Sequence, residues 1–191
     1  MEFSSRIKKK GLTVTISGLS SSGKSTIGEA IAKRYKLRYV TAGEIFRRYA
    51  KEQKIPLEVF SKVRHRNVDY EMERRSLLLS IKGNVVIDAR LSGWVAGEWA
   101  DARIYIYANQ KNRAARMAKR ESLSMSESLR ILKERDREDS KKYEQLYKID
   151  VTDKSIYDIV INNNDLTVNQ LKKEALKRLE GHFENKGIKA R

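Results

Sequence analysis

The run Leu12-Thr-Val-Thr-Ile-Ser-Gly-Leu-Ser-Ser-Ser-Gly-Lys-Ser25 changes character twice within fourteen residues. Up to Ser17 it is rich in β-branched residues and reads as a buried strand. Gly18 to Ser25 fits G-x-x-x-x-G-K-[ST], a pattern whose glycines take positive φ so that successive amides turn inward toward an anion. Beyond it, Ile27, Ala30, Ile31 and Tyr35 recur at helical spacing, and Lys33 and Arg34 fall in the last turn, where the helix dipole favours cations. Strand, loop and helix in that order form the setting a phosphate loop requires. Gly18, Leu19, Ser20, Ser21, Ser22, Gly23, Lys24, Ser25 and Thr26 are therefore the expected lining of a polyphosphate site. Lys24 would reach the β- and γ-phosphates of a nucleotide, and Ser25 would ligate Mg²⁺.

Working outward, four further strands are expected, at 37–40, 84–88, 102–108 and 156–161. Helical text separates them. Residues 57–81 read as an amphipathic helical insert in two pieces, broken near His65–Asp69. Gln110 to Arg120 reads as another helix, and Ser124-Met-Ser-Glu127 is a capping box that opens a long charged helix toward Tyr147. A second box, Thr167 with Gln170, opens a final helix with Val168, Leu171, Ala175 and Leu179 facing inward. The tail after Gly181 is expected to be partly disordered. Strands alternating with helices imply a five-stranded, mostly parallel α/β sheet covered on both faces, with ligands beyond the carboxyl ends of its strands.

The chain's 191 residues suit one domain, and the absence of cysteine removes disulfides, thiolate metal sites and thiol nucleophiles. No apolar stretch nears the ~20 residues of a membrane span, and the opening residues have no apolar centre for a secretory signal. A cytoplasmic protein is the expectation, with no membrane partner. The net charge of +16 fits phosphate-bearing ligands, small or polymeric. Acidic residues interleave with the basic ones and no nucleic-acid motif is present, so nucleic acid is not the expected partner. His65 and His182 read as solvated or satisfied side chains, and Trp94 and Trp99 as packing residues.

Arg47 and Arg90 follow closely on two expected strand ends, where guanidinium forks suit bidentate binding of a second phosphate. Arg135, Asp139 and Lys142 form one stripe on the long helix. From charge pattern alone that stripe reads as a salt-bridged solvent face.

Five segments, Ile16–Thr26, Val40–Arg47, Gly83–Trp94, Arg135–Tyr143 and Ile149–Asn162, together resemble the nucleoside monophosphate kinases, and most closely cytidylate kinases of the archaeal branch. The likeness spans about Leu12 to Leu179. It implies a P-loop kinase fold in which a helical acceptor-binding insert (about 44–82) and a helical lid (about 121–147) interrupt a core of about 11–48, 83–120 and 148–180, ahead of a basic tail, 181–191. It implies transfer of the γ-phosphoryl group of ATP to CMP or dCMP, with Mg²⁺. By the same resemblance Arg47 and Arg90 hold the acceptor's phosphate, Gly43 lets the acceptor approach the backbone, and Asp88 orients water on the metal. Thr41, Ser92, Gly93 and Asp139 join the acceptor set. Arg135 and Lys142 belong to a lid that closes over the transferring group; the loop Asn162 to Asp165, with Asn162 and Asn164, borders adenine, and Arg116 or Arg120 stacks over it. The chain departs from the family's usual pattern in two places. Leu-Ser-Ser-Ser replaces Pro-Pro-Gly-Ser after Gly18, and lysine replaces arginine at 142. Other acceptors (UMP, AMP or a small metabolite) and an RNA-associated P-loop ATPase are the alternative readings; a monomer or small homo-oligomer is expected.

Overall fold

The computed structural model describes residues 11–55 and 66–188. Pro56 and His65, the Lys-rich start and the last three residues lie outside them. Among the described residues five strands form one sheet: β1 (Thr13–Ser17), β2 (Arg38–Thr41), β3 (Val85–Asp88), β4 (Ala102–Tyr107) and β5 (Ile159–Asn162), in the order β2-β3-β1-β4-β5. Every pairing is parallel, so "mostly parallel" becomes wholly parallel. The helices are α1 (Lys24–Tyr35), α2 (Ala42–Glu52), α3 (Arg66–Lys82), the short α4 (Ser92–Ala96), α5 (Gln110–Glu121), α6 (Met125–Tyr147) and α7 (Val168–Asn185).

Alternation along the strands divides the core into two faces. Val14, Ile16, Val86, Ile104, Ile106 and Ile161 pack against Ile27 and Ile31 of α1 and Leu171, Ala175 and Leu179 of α7. On the opposite face Val40, Val85 and Ile87 meet Ile45 of α2 and Val68 and Met72 of α3. Successive residues of β3 thus serve opposite layers, as a strand buried on both faces requires. Polar ties fix the elements further. Thr13 Oγ1 donates to the Ser80 carbonyl at 2.8 Å, pinning α3 to the central strand. Both capping boxes form as the sequence predicts, at Ser124/Glu127 and Thr167/Gln170.

Three expectations need correcting. β5 begins at Ile159, three residues later than expected, because the Asp158 carboxylate takes the Arg103 N–H at 2.8 Å in place of a strand carbonyl. Val168 is 59 % exposed: it stands on the first turn of α7 at the border of the cleft beyond the β1–α1 loop, and the inward face starts at Leu171. The last helix does not stop near Gly181. It runs to Asn185, burying Phe183 edge-on against Tyr35, while a His182 ring nitrogen bonds the Asp101 carbonyl.

Candidate active site

The loop between β1 and α1 is shaped by two glycines. Gly18 sits at φ +144°, where a Cβ would fall 2.2 Å from the Ile106 carbonyl oxygen; Gly23, at φ +114°, would place one 2.6 Å from Asn163 Nδ2. Neither position admits a side chain. Ser21, where the family's usual pattern has a third glycine, is left-handed too, at φ +59°.

Four guanidinium groups grip this loop. Arg90 Nη2 donates to Ser20 Oγ (3.0 Å), Arg113 Nη1 to the Ser20 carbonyl (3.2 Å), Arg116 Nη1 to the Ser22 carbonyl (3.3 Å) and Arg120 Nη2 to Ser21 Oγ (3.4 Å). Asn163 Nδ2 also donates to the Ser22 carbonyl, at 2.7 Å. These contacts tie the loop to the β3 end and to α5, beside Lys24 and the N-terminus of α1, where a helix terminus favours an anion. Lys24 Nζ donates to the Leu19 carbonyl at 3.1 Å. Desolvation lowers its pKa to about 8; nearby Asp88 and Asp139 raise it, while Arg90 and Arg113 add to the depression.

The loop opens on a cavity of about 460 Å³ lined by Ser20, Ser21, Gly23, Lys24, Ser25, Thr26, Asp88, Arg116, Arg120 and Asn163, with Leu166, Val168 and Leu171 as an apolar border. That combination suits a polyanion continuing into a flat apolar group. Asp88, at the end of β3, accepts from Tyr39 Oη at 2.8 Å and keeps its second oxygen available to the cavity. No cluster of three or more His, Cys, Asp or Glu able to hold a metal exists among the described residues. Ser25 and Asp88 fit Mg²⁺, which keeps most of its waters and takes few protein ligands.

Across the cleft, α6 carries carboxylates to these cations. Asp139 pairs with Arg90 Nε, and Asp136 pairs with the buried Arg113 at 2.7 Å. Lys142 reaches Asp69 of α3 at 3.3 Å.

The expected site residues therefore separate. Lys24, Ser25, Thr26, Asp88, Arg116 and Arg120 share one cavity. Thr41 caps α2, its hydroxyl accepting the Glu44 N–H, and Gly43 and Arg47 are exposed beside it on that helix. Ser92 is fully buried, donating to the Ile16 and Ala89 carbonyls, and a Cβ on Gly93 would meet Tyr157 at 2.5 Å; both are packing positions that set the β3 end and do not face the cleft. Asn162 and Asn164 do not line the cavity: Asn164 Oδ1 instead accepts the Asn109 N–H at the start of α5, and Asn163 between them reaches the loop. Arg135 is exposed on α6, away from the cavity lining. Sequence reasoning missed Arg113, Asp136 and Tyr39. Arg113 was within reach, since Arg113, Arg116 and Arg120 form one stripe at i, i+3 and i+7.

Residues 13–165 match the model of the cytidylate kinase-like family. The chain belongs to the cytidylate kinase-like family. Among relatives of this family, a protein named cytidylate kinase from Pyrococcus horikoshii is 43 % identical over 158 residues, covering 82 % of each chain. One of the same name from Methanocaldococcus jannaschii is 39 % identical over 158 residues, covering 80 % of this chain and 89 % of its own. Solved structures give the fold a wider setting. A gluconokinase from Sinorhizobium meliloti superposes with a TM-score of 0.61 at 16 % identity, covering 96 % of this chain and 100 % of its own. A shikimate kinase from Acinetobacter baumannii in complex with shikimate gives 0.61 at 14 % identity, covering 93 % and 96 %. At such identities the likeness is one of fold, that of the P-loop kinases.

Proposed function

We propose that this cytidylate kinase-like protein transfers the γ-phosphoryl group of ATP to CMP or dCMP, giving ADP and CDP or dCDP. The observation that carries the reading is the loop from Gly18 to Ser25, held open by Arg90, Arg113, Arg116 and Arg120 with Lys24 at its centre. Five cations gather around one turn; Asp139, Asp136 and Glu121 offset three of them, and phosphate groups suit the positive charge that remains.

In this reading Lys24 and the loop amides hold the β- and γ-phosphates. Arg116 and Arg120 flank adenine, with Leu166, Val168 and Leu171 as its apolar wall. Arg47 and Arg90 take the acceptor phosphate, with Thr41 and Gly43 at its edge. An oxygen of that phosphate, already anionic near neutral pH, attacks the γ-phosphorus as the bond to the β–γ bridging oxygen breaks, and ADP leaves with the electron pair. No side-chain nucleophile or general base enters, so positioning and charge carry the rate. Magnesium, when bound at Ser25 and through water at Asp88, supplies further neutralisation of phosphate charge. Residues 121–147 serve as a lid, with Arg135 and Lys142 swinging onto the transferring group and water excluded until both substrates are bound. The insert at 44–82 supplies the acceptor's outer wall. A cysteine-free chain suits work in a reducing cytoplasm.

ADP release measured across CMP, dCMP, UMP, AMP and GMP tests the proposal. Cytidine nucleotides should be turned over with the highest kcat/KM. ATP hydrolysis stimulated by RNA, with no nucleotide accepting phosphate, would overturn it.

A further inference from the structure

Asp88 ends β3 at the wall of the phosphate-loop cavity, and what holds its carboxylate comes from the neighbouring strand. β2 and β3 pair with Tyr39 opposite Val86 and Thr41 opposite Asp88. Side chains two residues apart share a face, so Tyr39 and Asp88 lie on the side of the sheet that α1 covers. Thr41 stands nearest in register, but its hydroxyl is engaged in capping α2. Tyr39 reaches past it, and its Oη donates to Asp88 Oδ2 at 2.8 Å.

The ring that carries this hydroxyl has a slot made for it. Gly28 is buried in the middle of α1, where glycine weakens a helix and the backbone has no need of one. The ring needs it: a Cβ there would fall 2.4 Å from Tyr39 Cε2 and 3.1 Å from Cζ. Gly28 follows Lys24 by four residues and Ser25 by three, so the ring lies one helical turn below the two residues that begin α1 at the phosphate site. Phenylalanine would fill that slot equally well. What tyrosine adds is a hydroxyl, and among the described residues its side-chain partner is Asp88.

We propose that Tyr39 is a positioning residue that fixes the Asp88 carboxylate for the water shell of nucleotide-bound magnesium. This rests on the kinase reading given above, in which Asp88 meets the metal through water. A carboxylate can turn about its last torsion, and the cavity that Asp88 shares with Lys24, Arg116 and Arg120 offers cations for it to turn to. With one oxygen anchored by the Tyr39 hydroxyl, the other is left to accept from water.

The test is calorimetric and needs no turnover. ADP is titrated into the full chain and into Tyr39→Phe, each with magnesium and again with the metal chelated. Phenylalanine keeps the ring in its slot, so affinity for metal-free ADP should hold within about twofold while the gain in affinity from magnesium falls about 10-fold. An equal loss in both arms would mean that Tyr39 only packs, and the proposal fails. In an Asp88→Ala background the same substitution should change neither arm, because the hydroxyl has nothing left to hold; a further loss of the magnesium gain there overturns an action through Asp88. Gly28→Ala pushes the ring aside with its hydroxyl still present and should lose the same gain; a full gain in that variant overturns the proposal even where Tyr39→Phe does not fold. An unaltered chain that binds ADP no better with magnesium sinks the metal reading and the proposal with it, whereas a Tyr39→Phe protein that keeps the whole gain sinks Tyr39 alone.

Discussion

The ammonium of Lys24 is the residue on which the nucleotide reading turns, and its surroundings give it a measurable signature. Removal from water holds its pKa near 8 against the usual 10.5. In that window the free protein has already lost much of the proton, whereas a triphosphate beside it favours the charged form. ATP binding should therefore take up protons between pH 8 and 10.5, and release none. Calorimetry in two buffers of different ionisation enthalpy measures the uptake; none at pH 9 would mean that no phosphate reaches Lys24. Ser21 supplies a second residue-scale prediction. A left-handed conformation at φ +59° costs a non-glycine residue ~1–2 kcal/mol, only partly offset by the freedom glycine adds to the unfolded chain. Ser21→Gly should raise stability by roughly 0.5 kcal/mol, read as an upward shift of the thermal midpoint. A fall would mean that the Arg120 contact to Ser21 Oγ outweighs the relief of strain.

At the scale of elements, α7 departs most from expectation. Its inward series Leu171, Ala175 and Leu179 continues to Phe183 at the same spacing, so the signal was in the sequence; Gly181 and the basic residues beyond it read as an ending. The glycine is tolerated because it stands on the open side of the helix, with nothing within 4 Å of the place a Cβ would occupy. Two substitutions should accordingly act with opposite sign. Gly181→Ala should stabilise by about 0.5–1 kcal/mol through helix propensity, and Phe183→Ala should destabilise by about 3–5 kcal/mol through the void it leaves. Urea unfolding of both variants checks the pair, and a neutral Phe183→Ala would return the segment to a loose tail. Other elements were legible for plain reasons. The β1–loop–α1 unit and both capping boxes depend on contacts within a few residues, which a sequence displays directly. Ser92, Gly93 and Asn164 were not legible, because their partners Ile16, Tyr157 and Asn109 lie more than fifty residues away in the chain.

Over the whole molecule, sheet and helix order followed from alternating periodicity, while the joining of elements across the cleft did not. The pairings Arg113–Asp136, Arg90–Asp139 and Asp69–Lys142 connect α5, the β3 end and α3 to one helix, α6. Arg90, Asp139 and Lys142 stand out in the sequence as site residues, but which charge meets which, and the parts of Arg113, Asp136 and Asp69, were not legible. Parity along the helix, which brings Asp136 and not Arg135 to the buried guanidinium, is a matter of tertiary packing. The order of the strands has a consequence of its own. β1 and the phosphate loop are synthesised early, yet β1 lies at the centre of the sheet, and the loop leans on Asn163 beyond β5 and on Leu171 of α7. A nascent chain emerging from the ribosome would carry its nucleotide-gripping turn long before the residues that shape it. Under the proposed function, competence to capture ATP would therefore arrive late in translation, and a half-made polypeptide would leave the cell's nucleotides alone.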